Sequence, residues 1–333
     1  MRKIVLLLVC VLIALPMFGQ ALNGAGATFP NPMYSKWFSE YGNSHNGVQI
    51  NYQPIGSGGG IRQVTAGTVD FGASDMPMTD KQLSDAKFKI LNIPTVLGAV
   101  VPAYNIPGVS GEVRFTPEAL SGIFLGKISK WNDKALTAAN PGVNFPDKDI
   151  IVVHRSDGSG TSFIWTDYLS KVSPDWKNSV GADTSVKWPV GMGAKGNEGV
   201  SGLIRQMSGS IGYVELIYAI QNNIPYGSVR NSAGTFVKAS LDSVTAAAAS
   251  APKMPADFRV SITNAPGKDA YPISSFTWLL IPVPSKDTTK GKVLNDFLNW
   301  MVTDGQKMTE KLSYAPLPDN VVAKVKDTIK QVK

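Results

Sequence analysis

The residues best suited to chemistry in this sequence lie between Ile150 and Ser162, which read Ile-Ile-Val-Val-His-Arg-Ser-Asp-Gly-Ser-Gly-Thr-Ser. Four apolar β-formers, Ile150 to Val153, predict a short buried strand. Small polar residues follow. After Thr161 the spacing of Phe163, Ile164, Tyr168 and Leu169 turns helical. The loop therefore joins a strand end to a helix start, where backbone N–H groups are unpaired and carry partial positive charge. Gly158 and Gly160 let the backbone approach a ligand closely. Ser159, Thr161 and Ser162 add hydroxyls, and Arg155 adds a planar fork of donors shaped for a tetrahedral oxyanion. Asp157 is spaced to hold that guanidinium in place. This chemistry is an anion cradle, with phosphate the first candidate; a plain capped turn is the alternative. It is not a Walker A loop, which requires Gly-Lys-[Ser/Thr].

Other stretches could contribute to the same chemistry. Gly24 and Gly26 predict a tight strand-to-helix turn, with Pro30 and Pro32 in the first helical turn and Thr28 at the helix mouth, as cap or ligand. Met33, Tyr34, Trp37, Phe38 and Tyr41 share one helical face. Gly56-Ser57-Gly58-Gly59-Gly60 is a second glycine loop, placed between the alternating strand Val48–Tyr52 and a helix carrying Ile61 and Val64. Asp75 follows a predicted strand at Thr68–Ala73. An acidic residue beside two anion loops requires a purpose, unless it only precedes the capping box of Thr79 and Gln82. Gly191–Gly196 fits G-x-G-x-x-G letter for letter, but Lys187–Val190 is a poor strand for a dinucleotide unit. That stretch reads as a loop ahead of a helix starting near Asn197.

Arg2 and Lys3, the apolar run Ile4–Phe18 and the small residues around Gly19-Gln20-Ala21 read as an export signal cleaved after Ala21. The only cysteine, Cys10, falls inside it. A lipidated cysteine there would have almost no apolar run before it. The cleaved chain must rely on core burial without disulfides, and its length suggests two domains. The formal net charge of +7 is spread through the chain without a basic run interleaved with aromatics, which argues against nucleic-acid binding. Strands and helices alternate throughout, giving an α/β fold. Two long apolar strands stand out, Thr95–Ala103 and Ile273–Val283.

Four motifs taken in order resemble the periplasmic phosphate-binding proteins of phosphate ABC transporters, the PstS family. They are Gly24-Ala25-Gly26-Ala27-Thr28-Phe29-Pro30, Gly56-Ser57-Gly58-Gly59-Gly60, Asp70-Phe71-Gly72-Ala73-Ser74-Asp75 and Arg155-Ser156-Asp157-Gly158-Ser159-Gly160-Thr161-Ser162. The resemblance runs on through Gly212-Tyr213-Val214-Glu215 to Tyr314-Ala315-Pro316-Leu317-Pro318. It implies an α/β, two-lobed Venus-flytrap binding protein with two hinge crossings. Lobe I would comprise residues 22–97 and 268–333, and lobe II residues 98–267, with the crossings in the two long strands. The resemblance also implies the binding residues. Thr28 would act through hydroxyl and backbone, and Phe29 through its backbone N–H. Ser57 would donate, Asp75 would accept the ligand's proton, and Arg155, fixed by Asp157, would pair with the anion. Ser159, Gly160 and Thr161 would complete the cradle. Relatives often carry serine where this chain has Gly58, and a basic residue where it has His154. The implied partners are inorganic phosphate and a membrane permease, with the protein a periplasmic monomer needing no cofactor or metal.

An enzyme is the main rival class. Phosphate-ester hydrolysis wants metal ligands or a nucleophile with its base. After cleavage the chain holds only His45 and His154, no cysteine and no G-x-S-x-G elbow. A binding protein for another oxyanion, such as sulfate or molybdate, is a second alternative, and a surface adhesion or signalling module that only borrows the fold is a third.

Overall fold

The computed structural model describes residues 20–45, 47–251 and 253–333. Most of the expected export signal lies outside the described residues; Gln20 and Ala21 open the first strand.

The first elements are β1 (Gln20–Gly26), α1 (Asn31–Ser44), β2 (Val48–Pro54), α2 (Ser57–Ala66), β3 (Phe71–Ser74), α3 (Asp80–Asp85) and β4 (Lys89–Asn105). They are followed by β5 (Arg114–Phe115), α4 (Pro117–Phe124), α5 (Lys134–Thr137), β6 (Ile151–Arg155), α6 (Gly160–Val172) and α7 (Pro174–Ser179). Next come β7 (Met192–Ala194), α8 (Gly196–Gln206), β8 (Ser210–Glu215), α9 (Leu216–Gln221), β9 (Ser228–Arg230), β10 (Phe236–Val237) and α10 (Leu241–Ser250). The chain ends with β11 (Ser274–Val283), α11 (Thr288–Met301), two short 3-10 turns and α12 (Asp319–Ile329).

The main sheet has the strand order β2-β1-β3-β11-β4-β8-β6-β7. In the first half β1 runs parallel to β2 and β3, and β11 returns antiparallel between β3 and β4. In the second half β6 runs parallel to both β7 and β8. Strand β4 belongs to both halves: residues 89–99 pair with β11, and Val100 to Asn105 pair with β8. Nearly every residue of β4 and all of β11 are buried, so both strands are covered on both faces and read as continuous apolar runs. The architecture is α/β as expected, and β4 is the strand common to both halves of the sheet, while β11 pairs only within the first half.

Some local expectations change. Gly24 and Gly26 lie within β1 and do not form a turn; a Cβ at Gly24 would collide with the Phe71 ring, so that glycine makes room for packing. Strand β4 runs from Lys89 to Asn105, well ahead of the expected start at Thr95 and slightly past Ala103. Pro94 does not stop it, because its partner Trp278 sits at a register shift between Thr277 and Trp278, and a bulge tolerates a residue lacking an N–H. Helix α6 begins at Gly160, with Ser159 as its cap, ahead of the periodic signal that opens at Phe163. Residues 192–194 form the short strand β7 where a loop was expected.

Candidate functional site

Four strand-to-helix or strand-end segments converge where the two halves of the sheet meet. From the first half come Thr28 and Phe29 after β1, Ser57 at the start of α2, and Asp75 after β3. From the second come Arg155 at the end of β6 and Ser159, Gly160 and Thr161 at the start of α6. All of the polar members are buried: Thr28 is 2% exposed, Asp75 1% and Arg155 3%. Every residue expected at the site from the sequence is therefore brought into one cluster.

Arg155 and Asp157 form a two-pronged ion pair, with Nε to Oδ1 at 2.8 Å and Nη2 to Oδ2 at 2.5 Å. Gly196 donates its N–H to Asp157 Oδ1 at 3.1 Å. Burial pushes the Asp157 carboxyl up, but the hydrogen bonds and charge of Arg155 outweigh it and hold the group below the usual carboxylate range. Arg155 Nη1 turns toward Thr161 Oγ1 at 3.4 Å, and its backbone N–H donates to the Tyr213 hydroxyl at 3.1 Å. Tyr213 lies 2.6 Å from Ser162 Oγ. The guanidinium is thus fixed from two sides, which lowers the entropy lost when it pairs with an anion.

Helix α6 opens on the cluster with its cap satisfied internally: Ser159 Oγ accepts from Ser162 N–H at 3.0 Å. Gly160 is packed so closely that an added Cβ would strike Ser57 Oγ and come within 2.6 Å of the Asp75 Oδ2 oxygen. The loop of one half therefore lies directly against the acid of the other.

Asp75 is the acidic member. Thr277 Oγ1 donates to its Oδ1 at 2.8 Å, and Ser57 Oγ accepts from its backbone N–H at 3.1 Å. Burial is the largest influence on its carboxyl; Thr277, Arg155 and Ser57 oppose it, and the balance pushes the group up to about 7. The arrangement sets one proton-accepting group among many donors, and suits an anion that itself carries a proton.

The sequence reading missed five residues. Asn197 ties the halves together: its Nδ2 donates to Thr28 Oγ1 at 2.8 Å and to Thr161 Oγ1 at 3.1 Å, while its Oδ1 accepts from Glu215 N–H at 2.9 Å. Its only local signal is a position one residue into a helix, after a glycine. Thr277 lies at the bulge, whose extra residue is Thr95 of β4. Tyr218 and Tyr314 donate to consecutive carbonyls, Thr28 O and Phe29 O, each at 2.6 Å. Glu215 lies behind them, fully buried. His154 stands apart from this network, stacked on Trp188 at 4.9 Å, with burial lowering its affinity for a proton.

Known proteins share this sequence and fold. The family model for the PBP superfamily domain matches residues 19–305. The phosphate-binding protein PstS of Xylella fastidiosa strain Temecula1 is 48% identical over 306 residues, covering 91% of this chain and 83% of that protein. PstS of Haemophilus influenzae is 46% identical over 313 residues, covering 93% of each. Among solved structures, a high-affinity periplasmic phosphate-binding protein with phosphate bound superposes with a TM-score of 0.74 at 22% identity, covering 92% of this chain and 93% of that one. Fold and overall sequence agree, and the chain belongs to the PBP superfamily and, within it, to the PstS family of phosphate-binding proteins.

Proposed function

We propose that this protein binds inorganic phosphate between its two lobes and hands it to the permease of a phosphate ABC transporter. The observation that carries the reading is Asp75, a buried carboxylate facing a cradle of donors headed by Arg155. Like charges in such a site repel unless the ligand brings a proton. Hydrogen phosphate does so; sulfate at neutral pH does not, and the same feature disfavours it. Thr28, Phe29, Ser57, Asp75, Arg155, Ser159, Gly160 and Thr161 bind the anion, and Asp157 orients Arg155. The family membership supports these roles, as does the convergence of the residues in one buried cluster.

The lobes comprise residues 22–97 with 268–333, and residues 98–267. The change of β4 partner between Ala99 and Val100 supports the first boundary, and the bond from Val100 N–H to Ile273 O supports a second crossing beside it. The protein works as an exported, periplasmic monomer, cut after Ala21, and as a carrier with no catalytic turnover.

Calorimetric titration of ligand-stripped protein with phosphate, then with sulfate, tests the reading. Tight phosphate binding that excess sulfate does not displace is expected. Equal affinities, or turnover of a phosphomonoester, would overturn it.

A further inference from the structure

Glu215 ends β8, is 0% exposed, and serves none of the roles described above. Its Oε2 accepts the Ile217 N–H at 2.9 Å and lies 3.3 Å from the Tyr314 hydroxyl. Its Oε1 has no hydrogen-bond partner among the described residues. Oε1 points toward the hinge: a Cβ added to Gly98 of β4 would lie 3.1 Å from it.

Counting protons decides the state of this group. A tyrosine hydroxyl has one proton to give, and a peptide carbonyl can only accept. Tyr314 stands 2.6 Å from Phe29 O and 3.3 Å from Glu215 Oε2, so its proton belongs to the carbonyl. The Tyr314 oxygen then offers Glu215 a lone pair. An ionised Glu215 would meet that lone pair with its own, and would leave a second charged oxygen buried without a partner, at a cost of several kcal/mol. A neutral acid resolves both problems. Its O–H donates to the Tyr314 oxygen, and only a carbonyl oxygen remains bare.

We propose that Glu215 is a positioning residue held as the neutral acid, which acts through Tyr314 to fix the Phe29 carbonyl, and so the Phe29–Pro30 peptide directly after the Phe29 N–H that faces the anion. The inference rests on the phosphate reading of the cleft. Losing the Glu215 proton would draw the Tyr314 proton off Phe29 O and release that peptide. The titratable or charged groups around Glu215 are Tyr314, Asp75 from the end of β3, and Tyr218 on α9. Glu198 on α8 and Arg155 on β6 stand behind Tyr218. Burial and the nearby Asp75 both favour the neutral form.

Infrared spectroscopy and phosphate calorimetry test this on the full exported chain. In the Asp75→Asn background, which removes the other buried acid, a carboxylic-acid carbonyl band should persist at neutral pH and vanish on adding Glu215→Gln. Absence of that band in the Asp75→Asn protein overturns the proposal. With Asp75 intact, Glu215→Gln keeps a donor for Tyr314 and should bind phosphate within about 3-fold of wild type. Glu215→Leu should bind about 10-fold more weakly, as expected for one lost buried hydrogen bond. Wild-type affinity in a folded Glu215→Leu protein overturns the positioning role. Should Glu215→Leu fail to fold, a Glu215→Gln protein about 10-fold weaker than wild type would overturn it equally. If wild type itself binds no phosphate, the reading of the cleft fails, whereas the infrared band still reports on Glu215 alone.

Discussion

Gly58 donates its backbone N–H to the carbonyl of Gly158 at 2.9 Å, so the two glycine loops touch main chain to main chain across the cleft. Each loop follows a strand of a different half of the sheet, and so of a different lobe on the proposed division. On the proposed two-lobe reading this contact defines the closed form, and a ligand that contacts both loops favours that form over an open one.

Gly56 tests this contact. Its φ is +87°, and a Cβ there would strike Asp157 Oδ2 and lie 2.5 Å from Gly158 O. Gly56→Ala is expected to weaken phosphate binding by about 10-fold or more, mainly through faster release. Small-angle scattering should show the contraction on phosphate binding diminished. Unchanged affinity and unchanged contraction would mean that the loops need not meet.

Arg155→Ala should cost about 2 kcal/mol or more of phosphate affinity, the loss expected for a desolvated, charge-assisted contact. Asp157→Asn leaves the guanidinium but loosens it, so a smaller loss in the same direction is expected. Calorimetry on both variants checks the order; a larger loss in Asp157→Asn would reverse the assigned roles.

Asp75→Asn should narrow the gap between phosphate and sulfate, chiefly by improving sulfate binding. Sites built around one required hydrogen bond reject an analogue by as much as about 10⁴-fold. Both dissociation constants, in wild type and variant, decide it; an unchanged ratio would place selectivity elsewhere.

The same carboxyl predicts a pH dependence. Its folded value near 7 lies above its ordinary value of 3.8, so the folded protein holds this proton more tightly than the unfolded chain. That stabilisation is complete below the ordinary value and is lost as pH rises through about 7. In phosphate-free buffer, wild type should therefore lose thermal stability relative to Asp75→Asn across that window. Parallel curves would indicate a hydrated Asp75.

Asn197→Ala removes bonds to both Thr28 and Thr161. A loss of about 10-fold in phosphate affinity is expected, from two modest hydrogen bonds acting through pre-organisation. Affinity equal to wild type would make Asn197 a purely structural residue.

What the sequence revealed follows from range. The cradle residues sit in short contiguous motifs, and glycines, hydroxyls and a helix start signal each of them locally. The supporting residues do not. Tyr314 reaches Phe29 across 285 positions, and Tyr218 reaches Thr28 across 190. Nothing in either neighbourhood names its partner. Asn197 follows a glycine pattern whose literal match points to dinucleotides, and its sequence position marks only a helix start, with nothing to name the two threonines that its side chain reaches. Thr277 depends on a bulge, and a bulge leaves no mark on the alternation of a fully buried strand. Gly24 was misassigned because a glycine that makes room for an aromatic ring looks, in sequence, like one that makes a turn.

Strand β11 lies between β3 and β4 in the sheet, yet the whole of the second lobe separates it from β3 in the chain. As the chain is made, the first lobe has a gap at its centre until nearly all the protein exists. Its closing contacts are among the most distant in sequence, which slows folding. On the proposed export, such a delay would keep the chain unfolded for its passage across the membrane. The same order of strands exposes incomplete products. A chain ending before Ser274 leaves the facing edges of β3 and β4 unpaired, and such edges recruit other strands. Truncation near the C-terminus should therefore produce aggregates rather than a smaller binding protein.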